Sequence, residues 1–334
     1  MTDLSEHHRI DTALAVKDEK VIPFSSRVQS TARPTKSEAA VPALSETLPF
    51  SLTFAAKTYA ELDIRMEADQ KTLWYFMRPT EAPSYTPSLL RDLSTLRGNI
   101  QALFRSSPSE APLRYLVNGS SMPQIFNLGG DLGYFAKHIR ERDREGLRQY
   151  ATDCIDLVYS SSMSLDLPIV LISLVQGDAL GGGFEAAMAS DVIIAERSAK
   201  FGLPEILFNL FPGMGAYSFL SRRLDPTHAQ RMILSGRIYT ADELLDMGLV
   251  DLVVDDGDGE NAVREYIARN TRRHAIYRTL REVRRRVNPL TYDELRDVVD
   301  IWVEAAMTLE DSDLRKIDRL RTAQARRLGV STGA

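Results

Sequence analysis

Residues 168–175 read Pro-Ile-Val-Leu-Ile-Ser-Leu-Val, an almost unbroken apolar run of strand length. A strand with one wet face alternates apolar and polar residues, whereas a strand covered on both faces is apolar throughout. The run therefore predicts a strand buried between two layers. It is far too short to cross a bilayer, which takes about 20 residues. It leads into Gln176-Gly-Asp-Ala-Leu-Gly-Gly-Gly183, then a short helix, then a second apolar strand over 191–195. Strand, glycine turn, helix and strand in that order predict an α/β core.

The flanks fit around that core. Leu62, Ile64 and Met66 alternate with charged residues, and Leu73-Trp-Tyr-Phe-Met77 follows after a polar break, which predicts a β-hairpin. Leu89, Leu90, Leu93, Leu96, Ile100 and Leu103 share one helical face. A short strand is expected over 114–117. Asp131 is placed to cap a helix running through Phe135, and a longer helix is expected over 146–165. Thr240 and Glu243 form a capping box for a helix over 241–247, and Gly248 suits its end. A short strand is expected over 249–254. Three regions result: a flexible tail over 1–48, an α/β core over 49–260, and an Arg-rich helical region over 261–330. The tail reading rests on Ser, Thr, Ala, Lys and Pro without hydrophobic periodicity.

Charge and rare residues narrow the function. Lys+Arg 41 against Asp+Glu 46 gives a net charge of −5, which argues against a nucleic-acid binder. The single cysteine, Cys154, excludes an internal disulfide and a multi-cysteine metal site, and its apolar helical setting predicts a buried, inert thiol. His7, His8, His138, His228 and His274 show no metal spacing. There is no G-x-S-x-G elbow, no P-loop and no G-x-G-x-x-G fingerprint, so no cofactor and no metal are expected. The polar, acidic N-terminus carries no visible secretory signal, and a cytoplasmic protein is expected.

Two carboxylates draw attention. Glu185 sits in Gly-Gly-Gly-Phe-Glu-Ala-Ala-Met, and Glu205 in Phe-Gly-Leu-Pro-Glu-Ile-Leu-Phe. Burying such a group costs several kcal/mol unless it is paired or protonated. Acid–base work and, against it, a structural ion pair or an exposed edge remain open for each. Gly181-Gly-Gly183 precede a helix whose first N–H groups lack internal partners, so they can hold an oxyanion or a phosphate, or simply make a tight turn. The arginines between 264 and 286 form either a solvated face or a surface for an acidic partner or phosphate. Trp302 and Met307 read as core, or as the wall of an apolar pocket.

Three segments in order resemble the crotonase (enoyl-CoA hydratase/isomerase) superfamily: Asn127-Leu-Gly-Gly-Asp131-Leu, Gln176 to Glu185, and Phe201-Gly-Leu-Pro-Glu205-Ile followed by Phe211-Pro-Gly-Met-Gly215. The wording of the glycine segment, of 207–218, of Asp300-Ile-Trp302-Val and of Ile317-Asp-Arg-Leu320 is similar to the bacterial diffusible-signal-factor synthases. Those enzymes make cis-2-unsaturated fatty acid quorum-sensing signals from 3-hydroxyacyl carrier-protein thioesters. The resemblance implies a ClpP/crotonase-like ββα superhelix core with a C-terminal helical region. It implies Glu185 and Glu205 as catalytic residues, Gly130 and Gly182 as oxyanion donors, and Met214, Trp302 and Leu320 as acyl-pocket residues. It further implies a trimer or hexamer, an acyl carrier protein substrate, and a sensor histidine kinase as partner. Basic helices, with Arg272 and Arg273 among their residues, suit an acidic carrier surface. An ordinary enoyl-CoA hydratase or isomerase, and a non-catalytic signalling-partner binding protein, remain as alternatives.

Overall fold

Val170, Ile172 and Leu174 point to one face of strand β5 (Val170–Val175), and Leu171, Ser173 and Val175 to the other, and all six are buried. This two-sided burial is what the apolar run predicts. The structure, a computed structural model, describes residues 59–106 and 111–327. The expected tail over 1–48 lies outside the described residues.

Around β5 stands a six-stranded sheet in the order β1-β2-β3-β5-β7-β10. Its other members are β1 (Leu62–Glu67), β2 (Thr72–Met77), β3 (Tyr115–Ser120), β7 (Val192–Glu196) and β10 (Leu252–Val254). The hairpin pair β1/β2 is antiparallel and every other pairing is parallel. A second sheet, absent from the sequence reading, contains β4 (Gln124–Asn127), β6 (Gly177–Leu180), β8 (Lys200–Gly202) and β9 (Ile238–Thr240). Successive pairs β3/β4, β5/β6 and β7/β8 each place their first strand in the large sheet and their second in the small one, which is the expected ββα winding. The segment read as a glycine turn is thus partly a strand. Gly177 belongs to it because a Cβ there would lie 2.0 Å from the Gln124 carbonyl carbon.

Helices cover both faces. Helix α1 (Pro87–Ser106) buries Leu89, Leu90, Leu93, Leu96 and Ile100. Helix α2 (Leu132–Arg140) starts at its Asp131 cap, whose side chain accepts from the Gly133 and Tyr134 amides, and runs past the expected end at Phe135. Helix α3 (Arg144–Ser162) ends earlier than the expected Leu165. Ser164, Leu165 and Asp166 take positive φ values of 51°, 57° and 55°, a conformation that stops an α-helix. Helix α4 (Gly182–Met188) follows β6, and α5 (Ala216–Arg223), α6 (Pro226–Ser235) and α7 (Ala241–Asp246) follow β8. The Thr240/Glu243 capping box forms at α7, and Gly248 (φ 73°) lies beyond its end. Helix α8 (Gly259–Asn270) lays Ala262, Val263 and Ile267 on the outer face of the large sheet, against Val170, Ile172, Val192 and Ile194. Then come α9 (His274–Val287), α10 (Tyr292–Met307) and α11 (Asp311–Arg327). Among the described residues no helix is long and apolar enough to cross a membrane.

Candidate active site

The site begins with a backbone turn that only glycine accepts readily. Gly181 (φ 52°, ψ −126°) turns the chain from β6 into α4, and a Cβ there would stand 2.4 Å from Glu205 Oε1. Gly182 is the first residue of α4, so its N–H has no intrahelical acceptor. The loop carrying Gly130 touches this turn through Gly129 (φ 94°), whose Cβ position lies 2.9 Å from the Gly182 nitrogen. Both neighbours of Gly130 are held in place. Tyr85 N–H donates to the Gly129 carbonyl at 2.8 Å, and Asp131 N–H donates to the Tyr150 hydroxyl at 2.8 Å. That hydroxyl in turn donates to the Tyr85 carbonyl at 2.6 Å.

Glu185 lies one turn into α4 and is 1% exposed. Its Oε1 accepts from the Met214 and Ala216 amides at 2.8 Å each, which ties α4 to the start of α5. Burial, and then the neighbouring Glu205 carboxylate, push its pKa well above the usual carboxylate range, against the pull of those two amides. Glu205 stands on the short 3-10 turn Pro204–Phe208. Its Oε2 is enclosed and has no hydrogen-bond partner among the described residues. Burial pushes its pKa up to about 7. A carboxyl that titrates there can hold or release a proton at neutral pH. The alternative of a structural ion pair finds no support at either glutamate, since no Lys or Arg approaches them within 4.0 Å among the described residues.

Glu185 and Glu205 border one cavity of about 310 Å³, together with Gly130, Gly182, Met214, Trp302 and Leu320. The structure thus brings to one place the seven residues that the resemblance implies for the site, whereas Met307 is buried in the core and does not line this cavity. The walls are mostly apolar. Met214 Sδ would be 2.4 Å from a Cβ on Gly182, so sulfur and glycine pack directly. Trp302 from α10 meets Phe135 edge-to-face at 5.2 Å between ring centroids, and Phe135 meets Tyr150 likewise at 5.5 Å. Leu320 comes from α11.

Tyr150 and Cys154 are among the members that sequence reasoning left out of the site. Tyr150 was legible only as an apolar helical residue, and its bond to Tyr85, 65 residues away, leaves no local signal. Cys154 is buried as expected, yet it also lines the cavity. Burial raises its pKa well above that of a free thiol, which keeps it protonated. The described histidines are engaged elsewhere: His138 with Asp143, His228 with Asp225, and His274 with the Arg114 carbonyl. Arg272 and Arg273 are exposed on the 3-10 turn Thr271–Arg273 and do not line the cavity.

Comparison with known proteins bears on the family and the fold. The family model for enoyl-CoA hydratase/isomerase matches residues 98–301. The probable enoyl-CoA hydratase 2, mitochondrial, of Arabidopsis thaliana is 32% identical over 167 residues, which are 50% of this chain and 53% of that protein. The chain thus spans about half the length of that curated relative. Among solved structures, Pseudomonas aeruginosa DspI aligns with a TM-score of 0.57 and 28% identity, over 72% of this chain and 95% of DspI. Human mitochondrial delta3-delta2-enoyl-CoA isomerase aligns with a TM-score of 0.65 and 18% identity, over 82% of this chain and 100% of that one. At that identity the fold is what is shared.

Proposed function

We propose a specific reaction for this chain, which belongs to the enoyl-CoA hydratase/isomerase family: dehydration of a 3-hydroxyacyl carrier-protein thioester to the cis-2-enoyl thioester, followed by hydrolysis to the free cis-2-unsaturated acid. This is the diffusible-signal-factor synthase reaction. The observation that carries it is the Oε2 of Glu205, unpartnered among the described residues and enclosed beside Glu185 at the edge of an apolar cavity. An enclosed polar atom without a partner costs stability, and a substrate hydroxyl or water is the natural partner to relieve it.

The chemistry follows from the two donors and two acids. The thioester oxygen takes hydrogen bonds from the Gly130 and Gly182 amides, which stabilise the enolate-like charge that develops on it. One glutamate removes a proton from C2. The electrons of that C–H bond become the C2–C3 double bond, and the C3–O bond breaks. The other glutamate gives the departing hydroxide its proton, so water leaves. In the second stage a glutamate takes a proton from water as its oxygen bonds to the thioester carbon. The same amides hold the tetrahedral oxyanion; as the carbonyl re-forms, the C–S bond breaks and the glutamate that took the water proton gives it to the sulfur, so the thiol leaves. The cavity wall of Met214, Trp302 and Leu320 holds the acyl chain, and a bend in that wall at C2–C3 would select the cis product. The carrier-protein substrate, like a sensor-kinase partner and a homo-oligomer, comes from the resemblance to the signal-synthase branch.

The test is to incubate the purified protein with 3-hydroxyacyl-carrier proteins and the matching CoA thioesters, and to identify products by mass spectrometry. Released cis-2-enoic acid supports the proposal. Conversion only between trans-enoyl-CoA and 3-hydroxyacyl-CoA, with no acid, would make the chain an ordinary hydratase. A substitution at the glycine turn probes the position of Glu205. Gly181→Ala is expected to lower turnover about 10²-fold while circular dichroism is retained, because alanine strains the positive-φ turn and its methyl meets the Glu205 carboxylate. Unchanged turnover would mean that the position of Glu205 is immaterial.

A further inference from the structure

A second cavity, of about 160 Å³, lies at the far end of α4 and shares no lining residue with the first. Five arginines line it: Arg222 and Arg223 from α5, and Arg281, Arg284 and Arg285 from α9. Among the described residues the only carboxylate in its lining is Asp191. Asp191 pairs with Arg281, and Glu294 pairs with Arg222. The other three guanidinium groups have no carboxylate within 4.0 Å among the described residues. Arg223 donates to the Met188, Ser190 and Leu249 carbonyls, and Arg285 to the Ser162 carbonyl and Ser164 hydroxyl. These acceptors are neutral and leave the positive charge in place. Arg284 is exposed, and its side chain makes no ion pair among the described residues.

Such a concentration of like charge is unfavourable without a counter-charge. Burial first, and then Arg284 and Arg281, bring the pKa of Arg223 down to about 10, against the pull of Asp251 and Asp191. A surface helix could spread its arginines into water at no cost. Here two helices turn them toward one concave space, where guanidinium forks match phosphate oxygens in shape and charge. We propose that this cavity binds a small phosphorylated anion, held by Arg223, Arg284 and Arg285. It does not depend on the reaction assigned to the first cavity. A monophosphate and a diphosphate share the recognition chemistry, and only their charge and reach differ.

The experiment is calorimetric titration of the full chain with inorganic phosphate, pyrophosphate and ADP in low-salt buffer, repeated with Arg284→Ala and Arg285→Ala. The first variant removes an exposed side chain that makes no ion pair among the described residues, so its folding is expected to be intact, and circular dichroism checks both. At least one probe is expected to bind, about tenfold more weakly to each variant. Stronger binding of pyrophosphate and ADP than of phosphate would identify a diphosphate ligand, and the reverse a monophosphate. No heat from any of the three, or equal binding by folded wild type and variants, would overturn the proposal.

Discussion

Glu185→Gln and Glu205→Gln are each expected to slow dehydration by about 10²–10⁴-fold while the far-UV circular dichroism stays that of the wild type. Glutamine keeps the shape of the side chain and an oxygen that can still accept from the Met214 and Ala216 amides at position 185. It loses the ability to exchange a proton. The same variants are expected to be more stable than wild type at alkaline pH. The sign follows from the raised pKa of both groups. The folded state holds these protons more tightly than the unfolded chain does. The stability this confers is complete below the unfolded carboxylate pKa and, for Glu205, is lost as pH rises through about 7. A thermal melt series across that range, for wild type and Glu205→Gln, checks it. A wild-type melting point that falls with pH, and a variant whose melting point falls less, is the expected pair of curves. Full turnover by both folded variants would remove the acids from the mechanism.

Trp302→Ala is expected to cost about 3–5 kcal/mol of stability, the range for emptying a large aromatic site in a core. Trp302 is 4% exposed and packs edge-to-face on Phe135, while Gly213 comes so close that a Cβ there would be 2.7 Å from the indole ring. Because one side of the ring already borders the cavity, a loss near the lower end of that range fits best. The vacated space joins the cavity, so the variant should accept longer or branched acyl groups relative to wild type. Urea unfolding gives the first number, and a competition among thioesters of different chain length gives the second. A loss under about 1 kcal/mol with an unchanged chain-length preference would place Trp302 outside the acyl wall.

The legible parts of the fold were those that local pattern dictates. Strand β5 was readable because two-sided burial leaves no polar position except Ser173, which bonds to Ser190 inside the core. The capping box at Thr240 was readable because its partners are three residues apart. The second sheet was not. Strands β8 and β9 have three residues each, too few to show alternation, and β6 looks like a loop because Gly177 is there for backbone clearance. The end of α3 was misplaced because Ser164 is bonded by Arg281 and Arg285, more than a hundred residues later. In the candidate site the two glutamates stood out as acids among apolar neighbours. The pinning of Gly130 by Tyr150 did not, because that contact depends on how α3 packs, which no short stretch of sequence encodes.

The most direct measurement follows a single turnover of a 3-hydroxyacyl-carrier protein by liquid chromatography and mass spectrometry, with wild type and the two glutamine variants side by side. The account predicts a cis-2-enoyl thioester that appears first and a free cis-2-enoic acid that follows, from wild type only. An equal yield from folded Glu185→Gln and Glu205→Gln, or no dehydration of any thioester by the wild type, would contradict it.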